Sequence, residues 1–199
     1  MIQKYDILIK ENFLTNEECD QWIEAWKTYK TIQEDLSTGD MITKPNVLHI
    51  TNHPQLEKEE KKLISKLSGC YPKNLNFNYA HVCEWNTGME MGKHKDIYEA
   101  EFTSIIYLND DYKGGETFIG DTIIPPKKGK LVSFWGKDIL HGVSKIEGKR
   151  YTMPIWYAYP DKCFKRDENN HMIKTTPKQL NTYNFLSALD RYCQVEEEK

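Results

Sequence analysis

The chain has 199 residues, 39 % apolar and 29 % charged, with a formal net charge of −3. That length suits one domain with a full hydrophobic core, and the composition is too apolar for intrinsic disorder. The basic residues are scattered and no apolar run approaches the roughly 20 residues of a membrane span, so neither a nucleic-acid nor a membrane partner is expected.

The N-terminal MIQKYDILIKENF carries charges through its apolar stretch and does not read as a signal peptide. Residues 2–10 alternate weakly and predict a strand. Thr15 then reads as a helix cap, with Glu18 completing a capping box and Leu14 as a staple candidate. Trp22, Ile23 and Trp26 share one face of that helix. The polar, turn-rich stretch 31–46 is expected to be a loop. A second helix is expected from about Gln55 to Ser68, with Leu56, Leu63, Ile64 and Leu67 as its apolar side and EKEEKK as its solvated face.

From residue 75 the character changes. Short runs rich in Tyr, Ile, Val, Phe and Trp are separated by Gly, Asn-Asp and Pro-Pro turns. They predict strands near 77–85, 92–96, 102–108, 116–119, 121–125, 130–135, 139–143 and 150–158, with Gly120-Asp121 as a hairpin turn. Eight short strands at this spacing, in a chain with 12 Tyr, 7 Phe and 5 Trp, argue for a sandwich or small barrel such as a jelly roll. Thr176 and Pro177 predict a C-terminal helix carrying Leu180, Tyr183, Leu186 and Leu189. The expected fold is mainly β with flanking helices, an α+β chain with a double-stranded β-helix (jelly roll) core. Residues 1–74 would pack on the core, 75–158 would form it, and 159–199 would extend it. The five cysteines (Cys19, Cys70, Cys83, Cys163 and Cys193) form no CxxC pair. They read as packing residues of a reduced, cytoplasmic protein.

In GKHKD, a strand reading puts His94 and Asp96 on one face, with Lys95 pointing away. An imidazole and a carboxylate side by side supply two metal ligands, and His141 is the best third. Two His and one carboxylate make the facial triad of non-haem Fe(II) sites, although HxD alone is weak evidence. Arg150 opens the last apolar strand. Burying it is costly unless it meets an anion, and that strand offers no acidic partner; an internal Asp or Glu from elsewhere in the chain is the alternative to a bound acid. Metal ligands plus a buried arginine suggest an acidic co-substrate spanning the two. In GGETF the glycines read as a turn and Thr117 and Phe118 as strand entry, with Glu116 outside the ligand set. His81 reads as a hydrogen-bonded core histidine, with a place on the pocket lining as the alternative, and Cys83 as a small buried hydrophobe. Phe77, Tyr79, His81, Cys83 and Trp85 are expected on one face.

The order HxD, TSIIYLND, GGETFI, PKKGKLVSFW, HGVSKIEGKRY and a final Trp resembles the prolyl 4-hydroxylase branch of the 2-oxoglutarate/Fe(II) dioxygenases, over about residues 77–158. FLTNEECDQWI is similar to the helix that often precedes that core. The resemblance implies His94, Asp96 and His141 as iron ligands, with Arg150 on the C5 carboxylate of 2-oxoglutarate. It implies Tyr107 on the same carboxylate, Thr103 and Ile105 lining the co-substrate pocket, and Trp156 near the substrate side. Fe(II), 2-oxoglutarate and O2 are then expected as cofactor and co-substrates, with ascorbate an accessory that the resemblance allows. Hydroxylation of a prolyl residue in a peptide or protein, with release of succinate and CO2, is the expected activity. Another peptidyl side chain or a free amino acid is the alternative substrate. A metal-binding jelly roll serving as sensor or scaffold, and an interaction module with an incidental HxD, are the non-catalytic rivals. Two positions depart from the family pattern. The collagen-type members carry lysine where this chain has Arg150, and Trp85 stands where a tyrosine is usual. An indole N–H donates but cannot accept.

Overall fold

In the computed structural model, which describes residues 6–30, 46–51, 53–96, 100–162 and the backbone of 165–166 and 172–173, the first element is β1 (Leu8–Lys10), followed by α1 (Asn16–Tyr29). Thr15 caps α1 with its side chain on the Glu18 N–H, and Glu18 returns a carboxylate to the Thr15 N–H. This reciprocal box satisfies two of the helix's orphan donors. β2 (Asn46–His49) comes next. Its sequence does not announce a strand, because NVLH is short and adjoins a polar run. A 3₁₀ turn at Pro54–Leu56 leads into α2 (Glu57–Leu67). Within EKEEKK, Glu60 is buried rather than solvated.

The core strands come after α2: β3 (Asn76–Trp85), β4 (Met91–His94), β5 (Phe102–Tyr107), β6 (Lys113–Gly114), β7 (Thr117–Ile119) and β8 (Thr122–Ile124). Then come β9 (Leu131–Phe134), β10 (His141–Val143), β11 (Ile146–Glu147), β12 (Arg150–Ala158), β13 (Lys165–Arg166) and β14 (Met172–Ile173). The polar loop predicted at 31–46 lies outside the described residues except for Asn46, which opens β2, and the predicted C-terminal helix lies outside them altogether.

Two antiparallel sheets face each other, as in a jelly roll. The larger runs β1-β9-β5-β12-β3-β2 and the smaller β4-β10-β7-β8. Side-chain alternation assigns the larger sheet two faces. Phe102, Ile106, Met153, Ile155, Tyr157, Ala80 and Val82 point outward and pack with Leu14, Trp22 and Trp26 of the α1 region and Leu63 and Leu67 of α2. Ile105, Tyr107, Val132 and Phe134 point inward and meet Ile119 and Ile124 of the smaller sheet. The helices therefore cover one face of the larger sheet and leave the inter-sheet space to the other.

One register break matters for the interior. β12 and β3 pair in step from Arg150↔Trp85 to Trp156↔Tyr79, but Tyr157 then faces Phe77, leaving Asn78 as an extra residue on β3. Such a bulge reverses the facing of the strand residues on its far side. Phe77 accordingly joins the outer cluster, 6.4 Å from Tyr157 ring to ring, and not the inward row of Tyr79, His81, Cys83 and Trp85.

Candidate active site

The smaller sheet brings two histidines together. His141 on β10 pairs directly with His94 on β4, and their rings lie 4.3 Å apart. Each donates Nδ1–H to the carbonyl two residues before it, His94 to Gly92 and His141 to Ile139, both at 2.9 Å. A carbonyl can only accept, so both tautomers carry the proton on Nδ1 and leave the Nε2 lone pair free for a ligand.

β4 ends at His94, so Asp96 reaches the site from the segment beyond the strand and not from the strand itself, contrary to the 92–96 expectation. Its N–H donates to Gly136 O at 2.9 Å, and its Oδ2 accepts a hydrogen bond from Thr103 on β5. Its Oδ1 stands 3.6 Å from His141 Nε2, with both side chains 7 % exposed. Lys95, between the two, is exposed.

Burial pushes the Asp96 carboxyl up, but His141 and the Thr103 hydrogen bond more than offset this and hold it below its usual range. Burial lowers His141, yet Asp96 leaves it above its ordinary value. Burial and the neighbouring His141 lower His94. Ligand atoms of His94, Asp96 and His141 all lie within 4.8 Å of one another. A buried carboxylate oxygen facing an imidazole lone pair at 3.6 Å, beyond a normal hydrogen bond, is a geometry that a shared cation would satisfy. Two nitrogens and one oxygen at this spacing suit a metal bound at roughly 2 Å.

Arg150, on β12 of the larger sheet, is 1 % exposed. Among the described residues it has no ion-pair partner within 4 Å; its hydrogen bonds go to neutral hydroxyls, NH1 to Thr152 at 3.2 Å and NH2 to Thr117 at 3.3 Å. Its guanidinium carbon lies 5.5 Å from both the Trp85 and Tyr107 rings. Tyr107 donates to Thr117 Oγ1 at 2.6 Å. Thr117 thus accepts twice and keeps its own proton to give. Among the described residues, Arg150 Nε, Trp85 Nε1 and the Tyr112 hydroxyl are buried without a hydrogen-bond partner. Burial raises the Tyr112 and Tyr107 phenols, so both stay protonated beside the guanidinium. A buried cation ringed by unused donors is a hole shaped for a carboxylate.

The two ends are joined across β5. Tyr107 pairs with Thr152 at the arginine end and Thr103 with Trp156 at the metal end, with Ile105 facing inward between them. Four residues of strand separate the ends, about 13 Å. Beside the metal end, Trp156 stacks on Tyr79 at 5.8 Å and meets His81 at 5.0 Å, while His49 shares a hydrogen bond with Tyr79. Among the described residues His81 Nδ1 has no hydrogen-bond partner, so the expectation of a hydrogen-bonded core histidine does not hold for that atom.

Residues 78–158 match the family model of the 2OG-Fe(II) oxygenase superfamily. The jelly-roll core of this chain is thus similar to that of the 2-oxoglutarate/Fe(II) oxygenases. The chain is 28 % identical to a probable prolyl 4-hydroxylase 8 of Arabidopsis thaliana over 77 % of its own length and 58 % of that protein. It therefore spans under two thirds of that plant relative. A viral collagen prolyl hydroxylase from Paramecium bursaria Chlorella virus-1, solved with 2-oxoglutarate, shares the fold (TM-score 0.57, 22 % identity, 77 % of this chain and 95 % of that one). So does a Trichoplax adhaerens prolyl hydroxylase solved with a hypoxia-inducible-factor peptide (TM-score 0.59, 18 % identity, 78 % and 84 %). The fold brings His94, Asp96, His141, Thr103, Ile105, Tyr107, Arg150 and Trp156 to the inter-sheet side or its mouth, whereas Phe77 lies outside it. It also recruits Thr117, Thr152, Tyr112 and Gly136, which no sequence motif marks for a role in the site. In sequence Thr117 reads as strand entry alone; the register that turns it toward Arg150 is set by β10 and β8, not by its neighbours in the chain.

Proposed function

We propose that this chain is an Fe(II)- and 2-oxoglutarate-dependent dioxygenase that hydroxylates a substrate C–H bond, with a prolyl residue of a peptide or protein as substrate. The observation that carries this reading is Arg150, a buried cation whose described partners are neutral hydroxyls, set one pocket-length from a two-histidine, one-carboxylate cluster. A metal site without an organic acid has no use for that arginine, which weighs against a plain sensor or scaffold.

In this reading His94, Asp96 and His141 would hold Fe(II), and Arg150, Tyr107, Thr117 and Thr152 would receive the far carboxylate of 2-oxoglutarate. The bound iron supplies the activation of O2 that couples conversion of 2-oxoglutarate to succinate and CO2 with insertion of one oxygen atom into the substrate C–H bond. The chain's own contribution is positional. The backbone carbonyls of Gly92 and Ile139 fix the imidazole tautomers. The Arg150 cradle orients the diacid, and Ile105 and Phe134 keep the inter-sheet space apolar. Trp156, Tyr79 and His81 form the wall against which a substrate can lie.

The prolyl assignment is supported by the names of the relatives, and another peptidyl side chain or a free amino acid is the competing substrate. A division into packing segments at 1–74 and 159–199 around a core at 75–158 is part of the same proposal. So is a cytoplasmic location, supported by Cys19, Cys70 and Cys83 as free buried thiols. No helix among the described residues is long and apolar enough to cross a membrane.

The test is succinate release by Fe(II)-loaded protein across a panel of proline-containing peptides and free amino acids, with anaerobic spectra of the protein, Fe(II) and 2-oxoglutarate alongside. A weak visible charge-transfer band and peptide-stimulated succinate are the expected results. Absence of the band would sink the oxygenase reading, and stimulation by free amino acids alone would sink the peptidyl one.

A further inference from the structure

Asp96 lies two residues past the end of β4, so no ladder partner sets its side chain. What holds it comes from the opposite sheet. Thr103 lies on β5, in register with Phe134 of β9, and its hydroxyl donates to Asp96 Oδ2. Gly136, two residues beyond Phe134, accepts the Asp96 N–H. A Cβ on Gly136 would run into Asp96 Oδ2 and Thr103 Oγ1 together. Gly136 has no positive φ, so the glycine is needed for space and not for conformation. The other carboxylate oxygen, Oδ1, is the one facing His141 Nε2 at 3.6 Å.

The two oxygens of Asp96 thus have separate surroundings. We propose that Thr103 is a positioning residue of the metal centre: its hydroxyl occupies Asp96 Oδ2, so that Asp96 ligates through Oδ1 alone. The Gly136 notch makes room for that bond. The family resemblance places Thr103 on the lining of the co-substrate pocket, and its hydroxyl also serves the ligand carboxylate. A single ligating oxygen leaves one more metal position for exchangeable ligands than a chelating carboxylate would. This inference rests on the metal-centre part of the oxygenase reading and on nothing about the substrate.

Mn(II) alone is the first probe, added to metal-free full-length protein and followed by the electron paramagnetic resonance of free Mn(II). The fold is checked by circular dichroism. Wild type is expected to bind one Mn(II) per chain. Thr103→Val keeps the shape and loses the hydroxyl, and should weaken Mn(II) about 10- to 100-fold, the usual penalty for removing a hydrogen bond to a metal ligand. Thr103→Ser, which keeps the hydroxyl, should restore most of the lost affinity. Gly136→Ala should weaken Mn(II) as well. With Mn(II) saturating, Thr103→Val should also bind 2-oxoglutarate more weakly, because a freed Oδ2 competes for a metal position. Should the valine variant not fold, Thr103→Ala is read in its place. Equal Mn(II) affinity in wild type and Thr103→Val overturns the proposal, as does a serine variant as weak as the valine. A wild type that binds no Mn(II) removes the metal-centre reading and this proposal with it. A wild type that binds Mn(II) while the Thr103 variants match it removes the proposal alone.

Discussion

Arg150 concentrates the chemistry of the pocket in one side chain. It sits between two aromatic rings, holds two threonine hydroxyls, and leaves Nε unused. Truncating one member of a buried charge pair costs about 2–5 kcal/mol. Arg150→Ala should therefore weaken 2-oxoglutarate by at least about 30-fold, measured by titration of Mn(II)-loaded protein, and leave Mn(II) affinity near wild type. Loss of metal binding instead would mean the arginine belongs to the metal centre. Thr117→Val, which removes one hydroxyl from the cradle, should cost about 1 kcal/mol, or roughly fivefold, in the same titration. Arg150 stands out in the sequence because a permanent charge in an apolar strand demands an explanation. Thr117 and Thr152 do not, because a threonine is at home on any strand and only cross-strand register turns its hydroxyl to use. Tyr112 is hidden for another reason. Its hydroxyl is brought to Arg150 by the segment around β6, whose partner β11 lies more than thirty residues later.

Among the elements, α1 and its cap are the most self-contained. Thr15, Glu18 and the Trp22/Trp26 stripe act within one or two helical turns, so local spacing is enough to place them. Thr15→Ala should lower unfolding free energy by about 1 kcal/mol, read from the urea midpoint with an unchanged slope. The Glu18 carboxyl is held below its ordinary value, chiefly by its hydrogen bond from Lys66, with the Thr15 N–H adding to it. A depressed folded value contributes stability above the unfolded value, near 4.5, and loses it as pH falls through the folded one. Glu18→Gln should therefore narrow the stability gap between pH 7 and pH 3. A gap of equal size in the variant would remove Glu18 from acid sensitivity. The β3 bulge shows the opposite case. Strict alternation puts Phe77 inside, and one extra residue at Asn78 puts it outside; nothing in FNY announces the insertion. β2 is likewise silent, since its place is set by pairing with β3 residues more than thirty positions later.

At the scale of the molecule, the site draws on both sheets. His94 and His141 come from the smaller sheet, while Arg150, Tyr107 and Thr103 come from the larger. Ligands that bridge them bind the folded state alone and should raise the melting temperature together. Mn(II) at 100 times its dissociation constant should add about 2.7 kcal/mol, and 2-oxoglutarate should add a further increment only when Mn(II) is present. Metal-independent stabilisation by 2-oxoglutarate would show that the two ends of the pocket work separately.

The pairing of His141 with His94 has a further consequence. Two residues opposite each other on neighbouring antiparallel strands are separated by the ladder itself, at roughly 4.5–5.5 Å between Cα atoms. The bite of this chelate is therefore a lattice constant of the sheet and not a product of loop packing. Sliding β4 by a single residue would turn the His94 imidazole to the far side of the sheet and strand His141 without its partner. Metal uptake therefore requires the smaller sheet to be assembled in step, in addition to the Thr103 and Gly136 contacts that hold Asp96.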